Sequence, residues 1–85
     1  MREIYLLSGL GADERVFDFL DLSQYKVNYI RWIIPLKNEL ITDYASRLCT
    51  QIHSARPLLI GVSFGGMIAI EIGKLIPTEK IILIS

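Results

Sequence analysis

Histidine, cysteine and tryptophan each occur once in this chain, as His53, Cys49 and Trp32. A single cysteine cannot close an internal disulfide, so the fold must be held by packing, and the composition suits a reducing compartment. Neither sign of charge predominates. Nine basic residues balance nine acidic ones without a run of either, which argues against nucleic acid or an anionic membrane surface as partner. The longest uncharged run, between Arg56 and Glu71, is about 14 residues, short of the ~20 that a membrane span needs. No secretion signal is visible, since Arg2 and Glu3 precede only a short apolar stretch that is soon followed by charge. These absences lead to the expectation of a cytoplasmic, soluble protein.

What is present is apolar. Of 85 residues, 52% are hydrophobic and only 21% charged, in a chain below the usual domain size of roughly 100 to 150. Such a composition has much to bury and little surface to bury it under. The expectation is that residues 1–85 form the amino-terminal part of a single larger domain. Internal repeats, low-complexity segments and linkers are all lacking.

Along the chain, short apolar runs alternate with helical patterns. Ile4 to Leu7 reads as a buried strand that gives way to the glycine loop Ser8-Gly9-Leu10-Gly11. Asp13 then suits the cap of a helix with Val16, Phe17 and Leu20 on one side. Lys26 to Ile34, rich in aromatic and β-branched residues and closed by Pro35, reads as the next strand. Thr42 or Asp43 opens an amphipathic helix with Ile41, Tyr44, Ala45, Leu48 and Ile52 on one face. Pro57 starts a third strand, Gly65 to Ile76 reads as a helix buried nearly all round, and Ile81 to Ile84 as a fourth, uncovered strand. Strands separated by helices make βαβ units, hence an α/β fold with a mostly parallel sheet of about four strands and helices on both faces.

The densest signal is Leu58-Leu59-Ile60-Gly61-Val62-Ser63-Phe64-Gly65-Gly66, where one apolar run stops and the next begins with no room for an ordinary loop. This is G-x-S-x-G spacing at a strand-to-helix junction, a nucleophile elbow with Ser63 at its apex. Residues two before and two after the apex press together at so sharp a turn. Gly61 and Gly65 fit there because a Cβ would clash, and Gly66 lets the helix start close to the neighbouring strand. In a parallel sheet, loops at the carboxyl ends of adjacent strands converge on one ligand site. If the first and third strands are neighbours, the N–H groups of Phe64 and Leu10 can meet the negative oxygen of a tetrahedral intermediate.

Together, the elbow and the Ser8-Gly9-Leu10-Gly11 loop resemble the α/β-hydrolase superfamily, particularly its small cytoplasmic serine esterase-like members. The resemblance spans almost the whole chain but only the first part of that fold. It implies a sheet order with the first and third strands side by side. It also implies hydrolysis of an ester, thioester or amide through an acyl-enzyme on Ser63, with no metal or organic cofactor and a small ester-like molecule as substrate. Two departures stand out. Ser8-Gly9 replaces the usual His-Gly, and nothing after Ser63 supplies the histidine that follows the nucleophile in the family. The 85 residues alone are therefore expected to be inactive. The alternative is a non-catalytic small-molecule-binding member of the same fold.

Other features have plainer readings. Both glycine loops half-match the dinucleotide fingerprint, but Glu14 stands where the first loop needs its last glycine, and the second strand ends in Trp32-Ile33-Ile34 without an acidic residue. Gly61 and Gly65 are spaced as a membrane-helix contact, in a run too short to span. His53 reads as a solvated helix-end residue, Cys49 as packing, Asp13 as a cap rather than a catalytic acid, and Trp32 as core or edge packing rather than a ligand platform.

Overall fold

The computed structural model describes residues 2–9 and 14–84. Four strands, β1 (Arg2–Leu7), β2 (Tyr25–Tyr29), β3 (Leu58–Val62) and β4 (Lys80–Ile84), form one sheet in the order β2-β1-β3-β4. Every pairing is parallel. The first and third strands do lie side by side, with Ile4 opposite Leu58 and Leu7 opposite Gly61. That adjacency brings the ends of their two loops to the same edge of the sheet.

The central strands are apolar from Ile4 to Leu7 and from Leu58 to Val62 because both of their faces are covered there. Alternate residues face opposite ways along a strand, so the core divides in two. Tyr5, Leu7 and Leu59 pack under α1 (Ile41–Leu48) and α2 (Phe64–Leu75), against Tyr44, Ala45, Leu48, Ile68, Ala69 and Ile72. Ile4, Leu6, Leu58 and Ile60 face the other way, where Phe17, Val16, Leu20 and Leu22 cover them. That second cover is a 3₁₀ helix, Glu14–Phe17, followed by turns with i→i−3 bonds from Asp18 to Arg15 and from Leu20 to Phe17. The apolar trio Val16, Phe17 and Leu20 thus reaches the sheet without the longer helix expected from its spacing. Asp13, expected as its cap, lies outside the described residues.

Two boundaries and the burial of one helix differ from the sequence expectation. β2 stops at Tyr29 rather than Ile34, because Ile30 makes the last bond to β1, its N–H donating to the Leu6 carbonyl. Beyond it the chain turns to α1 and the 3₁₀ turn Cys49–Gln51 that follows it: Gln51 bonds both the N–H and the carbonyl of Arg31, and the Tyr44 hydroxyl does the same for Ile33. The N-cap of α1 is Leu40, with no side-chain cap, so Thr42 and Asp43 sit inside the first turn. α2 is not buried all round. Gly65, Gly66, Ile68, Ala69 and Ile72 are buried, whereas Met67, Ile70 and Leu75 are exposed, because sheet and α1 cover only the inner side of this helix among the described residues. On β4, Ile82 and Leu83 are likewise exposed, as expected.

Candidate active site

β3 ends at Val62 and α2 begins at Phe64, so Ser63 alone makes the junction. Its φ of 56° and ψ of −120° lie where residues with a Cβ are rarely found. Holding a non-glycine residue there costs on the order of 1–3 kcal/mol, and surroundings must over-determine it. They do so through the backbone. The Ser63 N–H donates to the Ile84 carbonyl at 3.2 Å, and the Ser63 carbonyl accepts from Gly66 at 2.8 Å and Met67 at 3.3 Å.

The glycines make the turn possible. A Cβ on Gly61 would sit 2.5 Å from the Gly65 carbonyl oxygen and 2.6 Å from Gly66 Cα. A Cβ on Gly65 would run into the carbonyls of Leu7 and Ser8, at the end of β1. Both obstacles are backbone and cannot swing aside. Gly66 is less constrained, since its added Cβ would meet the Leu83 side chain at 3.3 Å. The close approach of Gly65 to β1 is also what fixes the distance between the two loops.

The Ser63 side chain is exposed and makes no cap bond to α2. A serine at an N-cap ordinarily accepts from the helix's own amides; here the hydroxyl is left available to something outside. The Phe64 N–H opens a helix of 12 residues with no acidic residue in its first turn, so no side chain of that turn opposes the positive end of its dipole. From the other loop, Gly9 lies against the apex, where an added Cβ would stand 3.6 Å from Ser63 Cβ. Leu10, the expected second oxyanion donor, lies outside the described residues.

Next to the apex stands an aromatic wall. The Phe64 ring meets Trp32 at 5.3 Å between centroids, and Trp32 stacks on Tyr44 at 6.4 Å. A cavity of about 330 Å³ opens between Trp32, Ile33, Pro35, Ile41, Tyr44 and Phe64, with Glu39 at its side. The loop that forms it is braced. Arg47 donates to both oxygens of Glu39, at 2.6 and 2.7 Å, and to the Ile34 carbonyl, while the Leu36 N–H donates to Glu39. These bonds, Arg47 first, pull the Glu39 carboxyl from its ordinary 4.5 down to about 2. The Trp32 indole N–H is buried without a partner, which costs about 1–3 kcal/mol if uncompensated.

Trp32 is therefore both the core packing expected of it and part of a cavity wall, which the sequence reading missed along with Tyr44 and Glu39. A signal existed: an apolar run extending past a strand's carboxyl end enters the region where α/β sheets bind ligands. His53 is far from the apex. Its N–H donates to the Tyr5 hydroxyl, and Tyr5 pairs with Leu59, four residues before Ser63, which at 3.3 Å per residue is roughly 13 Å of strand. Cys49 is half-buried against the helical core, and burial pushes its thiol up, the condition of an inert thiol. Among the described residues, no helix is long and apolar enough to cross a membrane. Set beside known protein-family models, curated proteins and solved structures, the chain matches none.

Proposed function

We propose that Ser63 is the nucleophile of a serine hydrolase of the α/β-hydrolase type, acting on a small ester, thioester or amide. The observation that carries this reading is the backbone of Ser63, held at φ 56° and ψ −120° by glycines whose replacement would clash with backbone. Strain of this kind is maintained where it aims a reactive group. The side-by-side placement of β1 and β3 supports it further, since the oxyanion argument needs their two loops at one point.

In the reaction, the Ser63 oxygen attacks the carbonyl carbon while its proton passes to a base. The oxygen that gains the negative charge is met by the Phe64 N–H and, from the other loop, the Leu10 N–H. Collapse expels the protonated alcohol, thiol or amine and leaves an acyl group on Ser63, which water then removes. The only histidine of these 85 residues, His53, precedes β3 and donates its N–H to the Tyr5 hydroxyl, whereas Ser63 follows the strand's far end, so His53 is not that base. Covalent chemistry of this type calls for no metal or organic cofactor, and the cytoplasm suits it.

Fluorophosphonate labelling tests the assignment. Applied to the protein in extracts of its own cells, the reagent is expected to modify the peptide carrying Ser63 and to leave a Ser63→Ala variant unmodified. A folded protein whose Ser63 stays unlabelled would leave the binding module as the reading, because an exposed hydroxyl without a histidine partner is what such a module would also present.

A further inference from the structure

We propose that the cavity beside Phe64 receives the apolar acyl group of the substrate, an unbranched chain of about six to ten carbons. This inference rests on Ser63 being the nucleophile. The cavity is tied to the reacting end by one residue: Phe64 contributes its ring to the wall and its N–H to the oxyanion position, and its Cα is about 3.8 Å from that of Ser63 across a trans peptide.

Size and charge select the occupant. A volume of about 330 Å³ is about twice that of the engineered cavity that binds benzene, and at ~30 Å³ per non-hydrogen atom it takes roughly ten of them. The lining is Trp32, Ile33, Pro35, Ile41, Tyr44 and Phe64, apolar apart from Glu39. That carboxylate has no capacity left for a ligand cation: its side chain is 5% exposed and both oxygens are taken by Arg47. The Tyr44 hydroxyl is likewise committed, donating to the Ile33 carbonyl and accepting from the Ile33 N–H. Apart from the Trp32 indole N–H, which lacks a partner, these side chains offer no free partner to a sugar, nucleotide or peptide side chain with many polar groups, whereas a hydrocarbon chain asks for none. The end of the chain that carries charge after hydrolysis, a carboxylate, would meet the N-terminus of α2 outside the cavity.

The wall is braced rather than loose. Ile33 is held through Tyr44, Ile34 through Arg47, and Arg31 through Gln51, so the space persists without an occupant and binding need not first build it.

Trp32, the only tryptophan, reports on the cavity directly. Octanoate, below its micelle-forming concentration, is the probe. It is expected to shift Trp32 emission to the blue with saturation, while acetate, which has the head group without the chain, leaves it unchanged. Ile41→Phe fills the space from a half-exposed position on the rim, a change that the helix start can accept, and it should weaken octanoate at least tenfold with the circular dichroism unaltered. An emission indifferent to octanoate, or equal binding by Ile41→Phe, would overturn the cavity assignment even if Ser63 labels with fluorophosphonate. Saturable, Ile41-dependent binding without such labelling would remove the hydrolase and keep the cavity.

Discussion

Two serines stand at opposite ends of the strand pair β1 and β3, and only one of them looks catalytic on paper. Ser54 has His53 beside it in sequence and Glu3 in hydrogen-bond contact, its hydroxyl donating to Glu3 Oε2 at 2.5 Å with the Tyr5 hydroxyl at 3.2 Å. Ser63 has no acid or histidine as hydrogen-bond partner among the described residues. Yet Ser54 is half-buried, fully engaged and free of positive φ, while Ser63 is exposed, unengaged and strained. A hydroxyl that donates to an ionised carboxylate is doing structural service, closing the loop before β3 onto β1, and that bond heads the causes that hold Glu3 below its ordinary range. Neighbouring residue types alone are therefore a poor guide. The geometry that sets a serine apart is backbone strain together with a hydroxyl that has no internal partner.

The largest effect that bears on this contrast lies under Ser63. Gly65→Ala drives a methyl into the Leu7 and Ser8 carbonyls, so β1 and α2 must separate, and a loss above about 4 kcal/mol is expected, enough to unfold a marginal domain. Gly9→Ala, whose methyl would meet ordinary contacts at 3.6 and 3.7 Å among the described residues, should fall within about 1 kcal/mol of the parent. Urea unfolding of both variants measures the difference. Equal losses would mean that the close approach of loop and elbow is not what shapes the turn.

Smaller, and opposite in sign, is the effect of relieving the strain. Ser63→Gly places at φ 56° the residue that tolerates it, and a gain of about 1–3 kcal/mol in unfolding free energy is expected. Ser54→Gly, at a position with no such φ, should lose stability because two hydrogen bonds go with the side chain. If both glycine variants destabilise, Ser63 is not strained and the contrast between the two serines fails.

Much of this was legible before any coordinates. The parallel order of strands follows from apolar runs separated by helical spacing, and the clash-bearing pair Gly61 and Gly65 follows from five residues around Ser63, because a turn that sharp has only one composition. Less was legible where tertiary partners decide. Ile30 to Ile34 has the composition of a strand, but β1 offers no further partner past Leu6 and Leu7, so the segment leaves the sheet and bonds to Tyr44 and Arg47 of α1 and to Gln51 of the 3₁₀ turn after it. That departure creates the cavity wall at Trp32. Glu39 and Arg47 are eight residues apart, and no local spacing rule joins them; only the folded loop brings them within 2.7 Å. Ile70 and Met67 read as buried because their neighbours are apolar, whereas burial of a helix depends on how many layers meet it.

The smallest effect separates the two serines by pH. Glu3 faces Ser54, Asn28 and Lys26, with His53 contributing at longer range, and together they hold its carboxyl below the ordinary 4.5, the Ser54 bond leading and desolvation opposing. A carboxyl whose folded value is lowered stabilises the fold above its ordinary range, and that contribution disappears as the pH falls through the lowered value. Ser54→Ala weakens the lowering. The stability gap between parent and Ser54→Ala is then expected to be widest at neutral pH and to narrow in acid, as Glu3, less strongly lowered in the variant, takes up its proton there at a higher pH than in the parent. Ser63→Ala meets no titratable side chain among the described residues, so its gap from the parent should be the same at both values. Urea midpoints at pH 7 and pH 3 for the three proteins decide it: a Ser54→Ala gap that does not narrow would mean that its bond to Glu3 adds nothing in solution, and the structural role assigned to that serine would have to rest on Tyr5 alone.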